Sequence, residues 1–119
     1  MGVVEVTITI TNPDDRSRRR DIPDAIVDTG ASWTTIPKAM ANELGLEIVG
    51  RKRVMTANGP VNVEHSHAMV EYDGRLSFSD IRVSDTYSGV LLGALSLEGM
   101  ALAVDPKSGK LIDSELLIL

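Results

Sequence analysis

Apolar and polar side chains alternate along much of this chain, which is the pattern of β-strands that bury one face. The alternation is clearest at residues 4–10, where Val and Ile occupy every second position between Glu and Thr. Strands at this spacing predict an all-β fold, a small closed β-barrel with one or two short helices. The further predicted strands are Val49–Thr56, Val61–Tyr72, residues 76–83, Val90–Leu92 and a last hairpin within residues 101–112.

Residues typical of turns separate these strands. Turns are predicted at Asn12–Asp15, Tyr72–Arg75 and Asp105–Gly109, and Asn58-Gly59 predicts a tight hairpin. Residues 16–21 contain four arginines and are predicted to form a charged loop. That loop is either the solvated end of a hairpin or a basic docking patch.

Two short helices are expected between the strands. Pro37 suits the first turn of a helix, Thr35 is predicted to cap it, and Gly45 is a natural end. Residues 94–98 predict a second helix that Gly99 ends.

Composition narrows the class of protein. A chain of 119 residues, 43% of them apolar, is long enough to fold as one domain, residues 1–119, around a real core. A net charge of −5 and an aromatic content of 3% argue against nucleic acid as a partner. The chain has no cysteine, no apolar run of about 20 residues and no signal-peptide pattern. We therefore expect a cytoplasmic protein without disulfides and without membrane contact.

One acidic residue occupies a chemically informative place. Two β-branched residues lead directly into Asp28-Thr29-Gly30, which puts a carboxylate in a sharp turn just past an apolar strand. Turn chemistry alone would also explain an Asp and a Gly there. A weak internal repeat adds weight, because Val27–Ala31 aligns with Val90–Ala94 and the second copy has Leu91 in place of the acid. The repeat predicts two similar halves, one of which carries a carboxylate.

These segments resemble the retropepsin-type aspartic proteases, the single-domain class of retroviral proteases and their cellular and prokaryotic relatives. The resemblance covers residues 4–112 and is carried by Ile26–Ser32, the hairpin around Asn58-Gly59, and Val90–Gly93. It implies a small β-barrel that is active only as a symmetric homodimer, with one Asp28 from each chain. The chemistry gives a separate reason for two acids, because carboxyls that share a proton supply both a general base and a general acid.

The resemblance also implies roles for individual residues. Asp28 is expected to be the acid-base residue, Thr29 to hydrogen-bond across the two-fold axis, and Gly30 to keep the backbone close to the carboxylate and the substrate. No cofactor and no metal ion are expected. The flap that closes over the substrate would be the hairpin Val54–Val63. Substrate contacts are expected from the loop, the flap tip and the second strand end, namely Ala31, Ser32, Trp33, Ala57, Asn58, Gly59 and Leu92.

Several positions depart from the retroviral pattern. Ser32 and Trp33 replace a pair of aspartates, and Ala94 replaces the arginine that pairs with the first of them. Both partners of an ion pair are missing together, which is compatible with an intact fold that lacks one brace. Ala31 lacks the hydroxyl that many two-domain relatives have there, and this predicts activity at mildly acidic to neutral pH.

Some residues allow two interpretations. Trp33 either packs in the core or an interface, or lines the substrate groove. The Asn58-Gly59 hairpin is either a working flap or a plain turn. His65-Ser66-His67 would need carboxylates to complete a metal site, so solvent-facing histidines are the simpler interpretation. The apolar tail Leu116–Leu119 would either pair with a partner chain or pack in the core.

Two functions fit these observations. The first is a dimeric aspartic endopeptidase that holds an extended polypeptide as an added strand between flap and floor. The second is a retropepsin-like barrel without catalysis that serves dimerisation or peptide binding. An Asp28→Asn variant separates the two, because it should abolish cleavage and leave the dimer and peptide binding largely intact.

Overall fold

The computed structural model describes residues 3–114, and these form nine strands and two short helices. In chain order the strands are Glu5–Asn12 (β1), Asp15–Asp28 (β2), Thr34–Pro37 (β3), Gly50–Thr56 (β4), Gly59–Tyr72 (β5), Arg75–Ser84 (β6), Leu91–Gly93 (β7), Leu102–Asp105 (β8) and Lys110–Asp113 (β9). The helices are Lys38–Glu43 (α1) and Ala94–Gly99 (α2). The predicted fold class is confirmed.

Seven of the strands form one sheet that closes on itself. Its order is β1-β2-β7-β3-β6-β5-β4, and β1 also pairs with β5. The pairing of β1 with β5 makes a ring of strands, and β4 extends from β5 as the outer arm of a hairpin. Strands β2 and β7 run parallel, so their carboxyl ends meet at the same edge of the sheet. Strands β8 and β9 form a separate hairpin.

The inward face of the ring builds the core. Ile10, Ile36, Val70 and Ile81 come from four different strands, are completely buried and belong to one cluster. β-branched side chains of this kind pack well on a pleated surface. Because a slip of one residue would turn them all toward solvent, the alternation in the sequence also sets the register of the strands.

The prediction of a charged loop at residues 16–21 is wrong, because these residues belong to β2. They pair with β1, with Arg19 opposite Thr11 and Arg20 opposite Ile10. All six are exposed. Their charge therefore indicated exposure rather than a break in the strand, since the ladder of backbone hydrogen bonds does not depend on the side chains.

Helix α1 begins later than predicted. Thr35 lies inside β3, opposite Arg82 of β6, and the helix begins at Lys38 after an extended Pro37. The parallel pairing with β6 thus replaces the predicted cap at Thr35. Gly45 follows the end of the helix as predicted, with a φ of +65° that glycine adopts without strain.

The hairpin turns occur where they were predicted, with one shift. At the β5–β6 turn, Asp73 and Gly74 both have positive φ, as a two-residue hairpin of this kind requires. At the β4–β5 turn the central residues are Ala57 and Asn58, and Gly59 alone has a positive φ, +106°. The turn therefore lies one residue earlier than the Asn-Gly pair predicts.

The chain after β7 also follows the prediction. Helix α2 ends at Gly99, and residues 105–109 make the turn between β8 and β9. The tail Leu116–Leu119 lies outside the described residues. Within residues 3–114, no helix is both long enough and apolar enough to cross a membrane.

Candidate active site

Asp28 is the last residue of β2 and lies at the edge of the sheet. It is half-buried, and in the parallel pair it is opposite Gly93, the last residue of β7. The two copies of the internal repeat are thus neighbouring parallel strands, one ending in the acid and the other in glycine. The carboxylate Oδ1 accepts the backbone N–H of Gly30 at 3.0 Å, and the Ala31 N–H donates to the Asp28 carbonyl at 3.2 Å. These two bonds make the turn and orient the carboxylate.

Helix α2 holds the loop that follows the acid. The backbone N–H of Ala94 donates to the Ala31 carbonyl at 2.8 Å, and that of Leu95 donates to the Ser32 carbonyl at 3.0 Å. The first N–H groups of a helix have no acceptor inside the helix, so the loop carbonyls satisfy them. The end of β7 therefore determines where the loop runs.

Gly93 is required because the backbones approach closely at this point. A Cβ on Gly93 would lie 2.5 Å from the carbonyl carbon of Trp33 and 2.8 Å from the nitrogen of Thr34. Both are backbone atoms, so a change of side-chain rotamer would not relieve the clash. A Cβ on Gly30 would lie 3.3 Å from Asp28 Oδ1, which is tight but less severe. The closest approach thus occurs at Gly93 rather than at Gly30.

A chain of buried hydroxyl groups lies behind the loop. Thr34 Oγ1 accepts the backbone N–H of Gly93 at 3.1 Å and lies 2.6 Å from Ser96 Oγ. Ser96 donates to Ser79 Oγ at 2.8 Å, and Ser79 lies 3.0 Å from Ser77 Oγ. A hydroxyl carries one donor and two acceptor sites, so such groups can satisfy one another without water. Sequence reasoning missed this network, although serines at the inward positions of β6 were a signal.

Two cavities flank the loop. The larger, about 640 Å³, is lined by Asp28 and Thr29, by residues 3–4 and 26–27, and by the β8–β9 turn. The smaller, about 330 Å³, separates the loop from the β4 arm of the hairpin. Its lining residues are Ala31, Ser32, Trp33, Thr35, Val54, Met55, Thr56 and Arg82.

The structure separates the predicted substrate-contact residues into three groups. Ala31, Ser32 and Trp33 share the smaller cavity. The hairpin tip, residues 57–59, lies outside the lining of that cavity, and Ala57 and Asn58 are exposed. The prediction that Leu92 contacts the substrate is wrong, because Leu92 is completely buried in the core cluster and has no surface for a substrate. Strand β7 has neighbours on both sides, and its side chains alternate between faces, which turns Leu92 inward.

Trp33 connects the loop to the hairpin. It is half-buried and lines the smaller cavity, and the Lys52 Nζ of β4 lies 4.7 Å from the centroid of its ring. A cation at this distance is attracted by the ring face. Among residues 3–114, Trp33 does not belong to the core cluster, and its role in lining a substrate groove stays a prediction.

The histidines do not converge on a common site. His65 is half-buried next to Gly50, and His67 lies 2.9 Å from Asp80 Oδ1, an ion pair when the imidazole is protonated. Among residues 3–114, no group of three or more His, Asp or Glu side chains is placed to hold a metal ion.

Two carboxylates near the site accept hydrogen bonds that lower their pKa values. In the wall of the larger cavity, the backbone N–H of Lys107 and the hydroxyl of Ser108 donate to Asp105 and lower its pKa. On β5, Lys38 Nζ donates to Glu64 Oε1 at 2.5 Å, and this bond lowers the pKa of Glu64. Both groups therefore keep their negative charge into acidic solution.

Known proteins match this sequence and this fold. A family model described as "gag-polyprotein putative aspartyl protease" matches residues 21–99, more than half of the chain. Among curated proteins, no sequence matches.

The solved structures that share the fold include the following three. The retroviral protease-like domain of Ddi1 from Leishmania major is 18% identical, with a TM-score of 0.60 over 97% of this chain and 92% of that one. A retropepsin-like aspartic protease from Rickettsia conorii is 23% identical, with a TM-score of 0.58 over 87% and 85%. EIAV protease, solved with the inhibitor HBY-793, is 17% identical, with a TM-score of 0.57 over 98% and 94%.

The family match includes Asp28-Thr29-Gly30 and the β7–α2 segment that holds its loop. The fold comparison independently gives the same architecture, so the predicted resemblance to retropepsins is confirmed. The chain belongs to the gag-polyprotein aspartyl protease family and has the retropepsin fold.

Proposed function

We propose that this protein is an aspartic endopeptidase that acts as a symmetric homodimer, with the Asp28 carboxyls of two chains at the two-fold axis. The observation that carries the proposal is the position of Asp28. It is the last residue of β2, is half-buried, and lines the larger cavity. The second half of the internal repeat ends in Gly93 and supplies no acid. A proton-sharing pair therefore needs a second copy of the chain.

Among residues 3–114, Asp105 is the other acid that lines the cavity of Asp28, and its surroundings argue against a pair within one chain. Its Oδ1 accepts the Lys107 N–H at 3.0 Å, and its Oδ2 accepts the Ser108 hydroxyl at 2.8 Å. Both bonds favour the charged form, whereas the partner of a general base must carry a proton. Two-fold symmetry instead brings two identical carboxyls together, because an isologous interface apposes the same surface of both chains. Thr29 is exposed beside Asp28, as a contact across the axis requires.

The chemistry of such a pair is general acid-base catalysis. The ionised carboxyl takes a proton from water, and the water oxygen forms a bond to the peptide carbonyl carbon. The protonated carboxyl gives its proton to the carbonyl oxygen, so the tetrahedral intermediate is neutral. The carboxyl that took the water proton then donates it to the leaving nitrogen, while the other, now ionised, carboxyl removes a proton from one hydroxyl of the intermediate. The C–N bond breaks, a carboxylic acid and an amine are released, and both carboxyls return to their starting states. Two carboxyls at close range share one proton because they cannot both ionise.

The hairpin β4–β5 fits the role of a flap. Its arms carry two exposed apolar side chains, Met55 (77% exposed) and Val61 (39% exposed). An extended polypeptide between the hairpin and the loop would cover such side chains and would exclude water from the reacting bond. The substrate class we propose is therefore extended polypeptide, bound through main-chain hydrogen bonds.

A pair of matched variants tests the proposal. Asp28→Asn and Asp105→Asn each replace one carboxyl group of the same cavity by an amide. Cleavage of an unfolded protein is then measured between acidic and neutral pH. We expect the wild type and Asp105→Asn to cleave and Asp28→Asn to be inactive. Sedimentation should show a dimer for all three. A wild type that binds peptides as a dimer and never cleaves them would instead support a non-catalytic binding module.

A further inference from the structure

Of residues 3–114, one charged residue lines the smaller cavity, Arg82. Arg82 lies in β6, opposite Thr35 of β3 and His65 of β5. It also lines a third cavity, of about 210 Å³, which is distinct from the two described above and is formed by residues 61–64 and 82–86. Its side chain therefore lies between the smaller and the third cavity, beneath the flap hairpin.

The guanidinium of Arg82 is incompletely satisfied. Within residues 3–114, its Nε is buried without a hydrogen-bond partner, and none of the ion pairs involves it. Arginine stays charged at every pH in which a protein folds, and a buried donor without an acceptor costs free energy. The guanidinium thus has no opposite charge among the described residues, and a ligand carboxylate in the cavity would supply one.

The rest of the lining favours an acidic occupant. In the described part of the chain it consists of hydroxyl-bearing residues and apolar ones, with no Asp or Glu. Lys52, held over the ring of Trp33, adds a second positive charge near the cavity. The acids Glu64 and Asp85 line the neighbouring cavity instead, and Glu64 is engaged by Lys38 at 2.5 Å. A basic side chain would find no opposite charge among these lining residues.

The place of the cavity relates it to the reacting bond. One of the residues that line it, Ala31, directly follows Asp28-Thr29-Gly30 in the sequence. Successive side chains of an extended peptide point to opposite sides, so a side chain close to the scissile bond can enter the cavity. A symmetric dimer has two copies of the cavity, one on each side of that bond.

We propose that Arg82 determines specificity by binding a Glu or Asp side chain of the substrate peptide in this cavity. The inference rests on the proposed peptidase function. It names the substrate class as extended polypeptide with an acidic residue near the cleaved bond, at equivalent positions on its two sides.

The test compares variants of Arg82 on matched peptides. Cleavage profiles on a peptide library locate the preferred position, and kcat/KM is then measured for peptides that differ there as Glu against Gln. The wild type should prefer Glu by roughly tenfold, the order expected for one charge-assisted hydrogen bond in a partly buried site. Arg82→Met should abolish this preference, Arg82→Lys should retain part of it, and Arg82→Glu should favour a basic residue.

The control is Arg19→Met, which removes the same charge from an exposed position of β2, outside both the cavity lining and the flap hairpin. It should keep the wild-type preference, which separates a local contact from a general effect of net charge. Should Arg82→Met fail to fold, Arg82→Gln supplies the same comparison with a polar side chain of similar length.

The outcomes also separate this inference from the proposed function. A wild type that cleaves without an acidic preference at any position, or whose preference survives in Arg82→Met, overturns the inference and leaves the peptidase intact. A wild type that cleaves nothing overturns the proposed function. In that case, binding of the same Glu and Gln peptides by fluorescence anisotropy decides the role of Arg82: tighter Glu binding that Arg82→Met removes supports the pocket, and equal binding overturns it.

Discussion

Replacing Thr34 by valine tests whether the buried hydroxyl network stabilises the loop that carries Asp28. Valine has nearly the shape of threonine, so the change removes the hydroxyl and leaves the packing volume nearly constant. Thr34 is completely buried, and its Oγ1 accepts the Gly93 N–H at 3.1 Å and lies 2.6 Å from Ser96 Oγ. Water does not reach either partner easily, because both residues are buried as well.

The expected loss of stability follows from the two partners. The buried N–H of Gly93 would lose its acceptor, which costs about 1–3 kcal/mol. Ser96 would keep its bond to Ser79 and lose one neutral hydrogen bond, worth about 1 kcal/mol. We therefore expect Thr34→Val to lower the free energy of unfolding by about 2–4 kcal/mol. Thr35→Val is the matched control, since Thr35 is buried on the same strand but takes no part in this network, and it should cost less than about 1 kcal/mol.

Urea unfolding measures both variants, with the fluorescence of the single tryptophan, Trp33, as the probe. All samples are compared at one protein concentration, because association with a second copy would add to the apparent stability. Equal unfolding free energies for Thr34→Val and Thr35→Val would refute the idea that the network stabilises the loop.

Three further outcomes check other parts of the structure. Gly93→Ala should destabilise the fold by about 2–3 kcal/mol or more, because the new Cβ would lie 2.5 Å from the Trp33 backbone; an unchanged Tm would contradict this. Ala31→Ser should move the optimum of the pH–rate profile to lower pH, because a hydroxyl there would favour the charged carboxylate; an optimum that stays or rises would contradict it. The Lys38 hydrogen bond holds the pKa of Glu64 below its ordinary value of 4.5, so the pair stabilises the fold above that value and the stabilisation is lost as pH falls through the lowered pKa. Glu64→Gln should therefore be less stable than the wild type at neutral pH and equally stable in strong acid. A difference in the free energy of unfolding, measured by urea titration, that grows as the pH falls would contradict this.

Most of the local structure could be predicted from the sequence. Alternation of apolar and polar residues is a property of a few consecutive positions, so it correctly predicted β1, the two arms of the flap hairpin and the last hairpin. Turn residues likewise predicted where those hairpins reverse. The Asp28-Thr29-Gly30 motif was predicted at the end of an apolar strand, and the structure has it there.

Predictions from local patterns were wrong for residues whose secondary structure or burial depends on a strand far away in the sequence. The arginines of residues 16–21 belong to a strand because β1 pairs with them, and Thr35 lies in a strand because β6 does. Leu92 looked available to a substrate, but strands on both sides of β7 bury it. In each case the deciding hydrogen bonds or contacts come from residues far away in the sequence.

The surroundings of Asp28 depend on contacts between strands that are distant in the sequence. Closure of the ring brings Gly93 against the backbone of Trp33, joins the hydroxyl of Thr34 to that of Ser96, and places Arg82 in the cavity beside the loop. These residues are separated by about 50 to 60 positions in the chain, and no periodicity of neighbouring residues encodes such contacts. They arise because strands β2, β7, β3 and β6 must pair side by side to satisfy their backbone hydrogen bonds, and that pairing determines which side chains meet at the site.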